Sequence, residues 1–144
     1  LELHGHGRPF EAGHRAVRQA DAAGLGIHFL NRSVCMMAGA DFIKTSTGKE
    51  DVNATLPVSL VMLRALRDYG ELTGFQIGFK PAGGLKTAKD AMNWLILMKE
   101  ELGRRWLEPD LFRIGASSML GDIERQLEHY VTGNYSANHR HAQP

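Results

Sequence analysis

Apolar and polar positions alternate with two different periods along most of the chain. Short strand-like runs are predicted at residues 41–45, 76–80 and 111–115, and glycine or small polar residues follow each run. Apolar residues then recur at helical spacing, with Thr55 and Thr87 placed to cap the first two helices. The last helix carries its apolar residues on one face: Leu120, Ile123, Leu127 and Tyr130. This alternation of strand and helix predicts a parallel sheet with right-handed crossovers.

Two architectures are compatible with this order of elements, a doubly wound sheet and part of a (β/α)8 barrel. In such barrels, catalytic groups lie at the C-terminal ends of the strands, and the last two strand-to-helix loops often bind phosphate. A complete barrel needs ~200 residues or more, whereas this chain has 144. We therefore predict an α/β fold that comprises the C-terminal three β/α units of a (β/α)8 TIM barrel.

Both ends of the chain differ in composition from the predicted barrel region, residues 34–133. Residues 1–33 place histidines among glycines and arginines, and they show no apolar stripe that a helix could bury. No cysteine or carboxylate stands at a metal-ligand spacing from those histidines. We predict a poorly structured leader over residues 1–33 and a flexible polar tail over residues 134–144.

The composition is that of a soluble globular domain, with 43% hydrophobic residues, 23% charged residues and a formal net charge of +1. A protein that coats nucleic acid or a membrane surface would need a concentrated basic excess, so we expect neither as a partner. No apolar run approaches the ~20 residues of a membrane span. Cys35 is the only cysteine, which excludes an internal disulfide and predicts a reducing, cytoplasmic setting.

Two lysines, Lys44 and Lys80, end otherwise apolar runs and should both point into a barrel mouth, where an unpaired lysine is costly. One interpretation is a pair of structural lysines bound to carboxylates. The other is a Schiff-base nucleophile with a cationic neighbour. Two ammonium groups ~6 Å apart at an effective dielectric of ~20 repel by roughly 2.8 kcal/mol, about two pKa units. Desolvation acts in the same direction and favours the neutral amine that attacks a carbonyl.

Small residues between strand and helix predict an anion site. Residues 83–84 and 115–118 each precede a helix, where backbone N–H groups can approach a phosphate and the helix dipole favours the anion. Each turn alone is a weak signal, but two on adjacent units support each other. A P-loop at residues 46–49 is excluded, because Ile43 replaces the first required glycine and Glu50 replaces the Ser or Thr that should follow the lysine.

Three segments, DFIKTSTGK (residues 41–49), GFKPAGG (78–84) and FRIGASS (112–118), together closely resemble the deoxyribose-phosphate aldolase family. The resemblance covers about residues 35–135, and the helices are most similar to the animal form. It implies a class I aldolase, a lyase on a (β/α)8 barrel that needs no metal or other cofactor. That family cleaves 2-deoxy-D-ribose 5-phosphate reversibly to D-glyceraldehyde 3-phosphate and acetaldehyde, in the catabolism of deoxyribonucleotides. The implied binding partner is a small sugar phosphate, and the choice between a monomer and a homo-oligomer is left open.

The resemblance also implies roles for individual residues. Lys44 would form the Schiff base, and Lys80 would be the neighbour that lowers its pKa. Lys86 stands where relatives often have arginine, which keeps the charge but loses the bidentate fork. Small and basic residues after the strands would hold the phosphate: Gly48, Lys49, Gly83, Gly84, Lys86, Gly115, Ser117 and Ser118.

The chain departs from the family pattern in its first 33 residues, which resemble nothing in the family where a fifth strand should be. The family's catalytic aspartate comes from an earlier strand that is missing here, and Asp21 lies in no matching motif. We therefore predict a truncated aldolase. The alternatives are a catalytically weak or dead remnant that still binds phosphate or a partner, and a half-barrel that self-associates to complete a barrel.

Overall fold

The structure is a computed structural model that describes residues 19–21, 34–46 and 54–140. Its strands form one parallel sheet in chain order: β1 Gln19–Asp21, β2 Phe42–Lys44 and β3 Gly78–Lys80. Its helices are α1 Leu56–Thr73, α2 Ala88–Leu102 and α3 Met119–Thr132, with 3-10 turns at Arg104–Leu107 and Asn138–Arg140. None of the described helices has the length and apolar character that crossing a membrane requires.

Strands β2 and β3 confirm the runs predicted at residues 41–45 and 76–80, and their parallel pairing, although each strand is shorter than its run. Ile43 and Phe79 are register partners and are almost completely buried, in the same core as the apolar faces of α1 and α2. Because side chains alternate across a strand, Lys44 and Lys80 belong to the opposite face of the sheet. The core therefore lies between sheet and helices, and the lysines lie on the side that a complete barrel would enclose.

The third predicted strand, residues 111–115, is not a continuous strand. It makes two isolated parallel bridges to the β3 side, Phe79 to Phe112 and Ala82 to Gly115. The backbone bonds that flank the gap are short, with Gly115 N donating to Pro81 O over 2.8 Å. The intervening rung needs an N–H at position 81, and proline has none. The prediction of this neighbour and its direction was correct, but Pro81 interrupts the ladder.

Strand β1 was not predicted, because residues 1–33 were expected to form a poorly structured leader. Gln19–Asp21 pairs in parallel with β2, so that Ala20 faces Ile43 and Asp21 faces Lys44. The prediction for the rest of residues 1–33 lies outside the described residues. A three-residue strand in polar sequence carries too few apolar positions for its period to be seen, and only pairing with β2 defines it.

The apolar face predicted for α3 is present, but most of its residues are exposed. Leu120, Leu127 and Tyr130 are 68%, 60% and 88% exposed, and Ile123 alone of the predicted face packs against the core. Met119, at the start of the helix, is the buried residue of α3. This helix ends the last β/α unit, and no later unit follows it in the described part of the chain. The spacing thus identified an apolar face correctly but could not show whether a neighbour covers it.

Both predicted helix caps are present. Thr55 Oγ1 accepts a hydrogen bond from Val58 N over 3.4 Å. Thr87 Oγ1 accepts from Asp90 N over 3.1 Å, and the Asp90 carboxylate accepts from the backbone of Lys86 and Thr87, each over 2.9 Å. This reciprocal capping box fixes the direction in which α2 leaves the loop after β3.

Asp90 should make the chain less stable in acid. The backbone N–H of Lys86, and then that of Thr87, donate to the Asp90 carboxylate and hold its pKa below its ordinary value. The folded state therefore binds this proton less readily than the unfolded state, and the contribution is lost as the pH falls through the folded pKa. The difference in urea midpoint between pH 7 and pH 3 should be smaller in Asp90→Asn than in the parent. Equal differences would show that Asp90 contributes nothing to acid sensitivity.

Candidate active site

Lys44 and Lys80 stand side by side at the ends of adjacent parallel strands. They are register partners of β2 and β3, and such partners lie about 4.8 Å apart across a sheet, with side chains on the same face. Both are half-buried, and both line one open cleft of about 440 Å³. We call this space the cleft throughout. It brings the two lysines together as the sequence predicted.

Phe42 lies two residues before Lys44, on the same face of the sheet. Its ring covers Gly78, where an added Cβ would lie 2.3 Å from the ring. The guanidinium of Arg113 lies over the same ring, 4.3 Å from its centroid. Gly78 is therefore required by a ring that packs on the backbone, and the lysines stand at the edge of a packed layer.

The loop after β3 turns through two successive glycines. Gly83 and Gly84 have φ values of +97° and +92°, which L side chains rarely adopt. The turn is anchored by Leu85, which is 4% exposed, and by a hydrogen bond of 3.0 Å from Ala54 N to Gly83 O. Both glycines line the cleft, where their missing side chains leave the backbone accessible to a ligand.

The N-terminus of α2 is already occupied by carboxylates. The N–H groups of Lys86 and Thr87, just before the first helical residue, donate to Asp90, and Ala88 N donates to the Asp122 carboxylate of α3 over 2.7 Å. The N-terminus of α3 differs, because its N-cap Ser118 makes no side-chain cap hydrogen bond. Of the two helix N-termini near the cleft, that of α3 is the one free of side-chain caps, and it begins directly after cleft residues Ser117 and Ser118.

Gly115 packs against Ala82 and the far end of the Lys80 side chain. A Cβ at this position would lie 2.7 Å from Ala82 Cβ and 3.3 Å from Lys80 Cε. The loop from residue 115 onward therefore approaches the β3 side more closely than any larger residue allows. This contact joins the second lysine to the third loop of the cleft.

Gly115→Ala should destabilise the chain by about 1–3 kcal/mol, because Ala82 and Lys80 must move to admit the new methyl group. Gly70→Ala, within α1, is the matched control. Its added Cβ would lie 3.4 Å from Phe75 O, which is an ordinary contact distance. We expect Gly70→Ala to be neutral or slightly stabilising. Urea unfolding of the three proteins measures both effects, and equal midpoints for the parent and Gly115→Ala would contradict this account of the contact.

The predicted site residues within the described ranges come together in the cleft. They are Lys44, Lys80, Gly83, Gly84, Lys86, Gly115, Ser117 and Ser118. Ser46, Ala82, Leu85 and Ala116 also line it and were not predicted. Gly48 and Lys49 lie outside the described residues. Among the described residues, no three His, Cys, Asp or Glu side chains are arranged to hold a metal ion.

Asp21 is a site candidate that the sequence did not indicate. Its backbone is in register with Lys44, and Lys44 is in register with Lys80, so three polar residues share one level across three strands. The family motifs assign Asp21 no role, so its candidacy rests on this backbone register. The missing signal was the strand itself, because Asp21 gains its position only from the pairing of β1 with β2.

Comparisons with known proteins agree with this geometry. A family model described as DeoC/LacD family aldolase matches residues 15–118, and thus extends upstream of the resemblance near residue 35. The chain is 69% identical over 106 residues to deoxyribose-phosphate aldolase of Mus musculus and 67% identical to that of Homo sapiens. Each match covers 74% of this chain and 33% of the relative, so the chain spans about one third of those proteins.

Solved structures show the same fold. Two crystal structures of a protein from Toxoplasma gondii ME49, assigned as a deoxyribose-phosphate aldolase, superpose with TM-scores of 0.64 and 0.66 at 23% and 24% identity. The matches cover 81% of this chain and 47% or 46% of those chains. The fold is accordingly part of a (β/α)8 barrel, as predicted. On the family match over residues 15–118, the chain belongs to the DeoC/LacD family of aldolases.

Proposed function

We propose that the cleft is the Schiff-base and phosphate-binding part of a deoxyribose-phosphate aldolase site. The reaction is the reversible cleavage of 2-deoxy-D-ribose 5-phosphate to D-glyceraldehyde 3-phosphate and acetaldehyde. One observation carries the proposal: Lys44 and Lys80 are in register and line the same cleft as the Gly83–Gly84 turn and the start of α3. The matches cover only 33% of the mammalian relatives that are named for this activity, so activity of this chain is part of the proposal.

Lys44 is the proposed nucleophile. Its neutral amine attacks the C1 aldehyde of the open-chain sugar, and loss of water gives a protonated imine. Removal of the C3 hydroxyl proton then breaks the C2–C3 bond, releases glyceraldehyde 3-phosphate and moves the electron pair toward the imine nitrogen. Protonation of the resulting enamine and addition of water release acetaldehyde and restore Lys44. Lys80, the register partner, is the proposed cationic neighbour of the nitrogen that reacts.

The phosphate end of the substrate is proposed to bind at the opposite wall of the cleft. The Gly83–Gly84 turn exposes backbone there, and the uncapped N-terminus of α3 offers N–H groups and the positive end of the helix dipole. Lys86 contributes through its ammonium group, because its backbone N–H is already bonded to Asp90. The proposed contacts on this side are therefore the two glycines, Lys86 and residues 115–118.

The remaining attributes of the proposal come from the family. The partner is a small sugar phosphate, the reaction belongs to deoxyribonucleotide catabolism, and the setting is the cytoplasm. The alternative function is that of a catalytically weak remnant that retains phosphate binding. It is supported by the limited coverage of the relatives, since the match spans 33% of their length. The two functions differ in turnover and share the same phosphate site.

Borohydride trapping tests the proposal directly. The purified chain is incubated with acetaldehyde, reduced with borohydride, digested and examined by mass spectrometry. The expected result is an ethylated lysine at position 44. The same experiment with 2-deoxyribose 5-phosphate should label the same peptide. No adduct at Lys44, or an adduct found only on another lysine, would overturn the assignment.

A further inference from the structure

We propose that Thr45 is a positioning residue that holds the Gly83–Gly84 turn in place beside Lys44 and thereby sets the affinity of the cleft for phosphate. This proposal rests on the proposed function, because it concerns the phosphate end of the same cleft. Thr45 directly follows the nucleophile in the chain, and Ala82 directly precedes the two glycines. A single side chain therefore joins the two loops that carry the two ends of the substrate.

The link consists of two short hydrogen bonds in a dry environment. Thr45 Oγ1 donates to Ala82 O over 2.7 Å and accepts from Ala82 N over 2.8 Å. Thr45 is 1% exposed and Ala82 is 5% exposed, so water cannot replace either bond without a rearrangement. The hydroxyl uses its donor and an acceptor on one residue that is 37 positions away in the chain.

The Thr45 hydroxyl replaces the backbone hydrogen bonds that join paired strands elsewhere in the sheet. The last backbone rung of this pair of strands is Thr45 N to Lys80 O, at 3.3 Å. The next N–H and C=O on the β3 side that face β2 belong to Ala82, because the Pro81 backbone faces the other neighbour, where its carbonyl accepts from Gly115 N. Both groups bond to the Thr45 side chain instead of to backbone. The chain after Thr45 can thus leave the sheet while the loop before Gly83 stays at the spacing of paired strands.

Ala82 is also held from its other side. It forms the isolated bridge to Gly115, and an added Cβ at Gly115 would lie 2.7 Å from Ala82 Cβ. Thr45 and Gly115 therefore both contact Ala82, which immediately precedes two glycines with positive φ. Backbone conformation at glycine is otherwise the most permissive in the chain. The bond from Ala54 N to Gly83 O and the buried Leu85 hold the middle and the end of the turn, and Thr45 holds its start through Ala82.

The decisive experiment titrates inorganic phosphate into the parent chain, Thr45→Val and Thr45→Ser. Valine keeps the branched shape without the hydroxyl, and serine keeps the hydroxyl. We expect Thr45→Val to raise the phosphate Kd at least ~10-fold, because displacement of a binding group by about 1 Å is costly. Thr45→Ser should stay within ~3-fold of the parent, since both hydrogen bonds can re-form. The backbone amide hydrogens of Ala82 and Gly83 should exchange faster in Thr45→Val than in the parent, and at the parent rate in Thr45→Ser.

The same samples separate this proposal from the proposed function. Acetaldehyde carries no phosphate, so its trapping at Lys44 should proceed alike in all three proteins. Failure of trapping in the parent would overturn the aldolase proposal, whereas an unchanged phosphate Kd in Thr45→Val would overturn the role of Thr45. Absence of phosphate binding by the parent would also overturn it. Thr45→Ala is a second hydroxyl-free variant without added bulk, and unfolding of both Thr45→Val and Thr45→Ala would refute a role confined to positioning.

Discussion

Lys44→Met is expected to abolish the trapping of acetaldehyde by borohydride. Methionine keeps an unbranched, apolar side chain in a half-buried position but offers no amine, so neither an imine nor its reduced product can form. Removing the nucleophile of a covalent mechanism costs far more than removing a helper, and we expect the yield of adduct to fall on the order of 10³-fold or more. Peptide mass spectrometry after reduction measures the effect.

Two further lysine variants define what that result means. Lys99→Met is the matched control, because Lys99 is exposed in the last turn of α2 and does not line the cleft. It should form the adduct as the parent does. Lys80→Met should still carry its adduct on Lys44, since Lys80 is proposed as a neighbour rather than as nucleophile. Label that persists in Lys44→Met, or that is found on Lys80 in the parent, would make Lys80 the nucleophile and Lys44 its neighbour.

The sequence alone could predict most of the cleft, because the relevant signals are local. Lys44 and Lys80 each end a short apolar run, and the glycine turns follow within a few residues. Parallel strands bring their C-terminal ends to the same edge of a sheet, so the fold class was enough to place these groups together. The capping box of α2 was predictable for the same reason, since Thr87 and Asp90 are three residues apart.

The features that escaped prediction depend on distant parts of the chain. Strand β1 exists through its pairing with β2, and the polar residues around Asp21 show no period of their own. The interruption at Pro81 appears only when its neighbour across the sheet is known. The hydrogen bonds between Thr45 and Ala82 join two loops, and no local pattern indicates that the Thr45 hydroxyl has Ala82 as its partner. Exposure of the α3 face depends on a neighbour, which spacing cannot reveal.

Asp21 bears on how complete the catalytic machinery is. Carbon–carbon cleavage needs a group that accepts the C3 hydroxyl proton, and the register of β1 with β2 brings Asp21 to the level of Lys44. This backbone register makes Asp21 the acidic residue to test for that role. However, β1 has only three paired residues, and no described strand pairs with its outer edge. A base on such an edge is held less firmly than one inside a closed barrel.

The chain should therefore turn over 2-deoxyribose 5-phosphate at least ~100-fold more slowly than a full-length mammalian relative, because a misplaced catalytic group alone can cost ~10²-fold. The open cleft also admits water to the reacting centre. Asp21→Asn should reduce the residual rate a further ~10²-fold or more, whereas Asp68→Asn, an exposed change in α1, should leave it unaltered. Coupled detection of glyceraldehyde 3-phosphate measures all four proteins. Cleavage by the parent at the rate of the full-length relative would show that the part of the barrel in this chain suffices, and an unchanged rate in Asp21→Asn would exclude Asp21 from the mechanism.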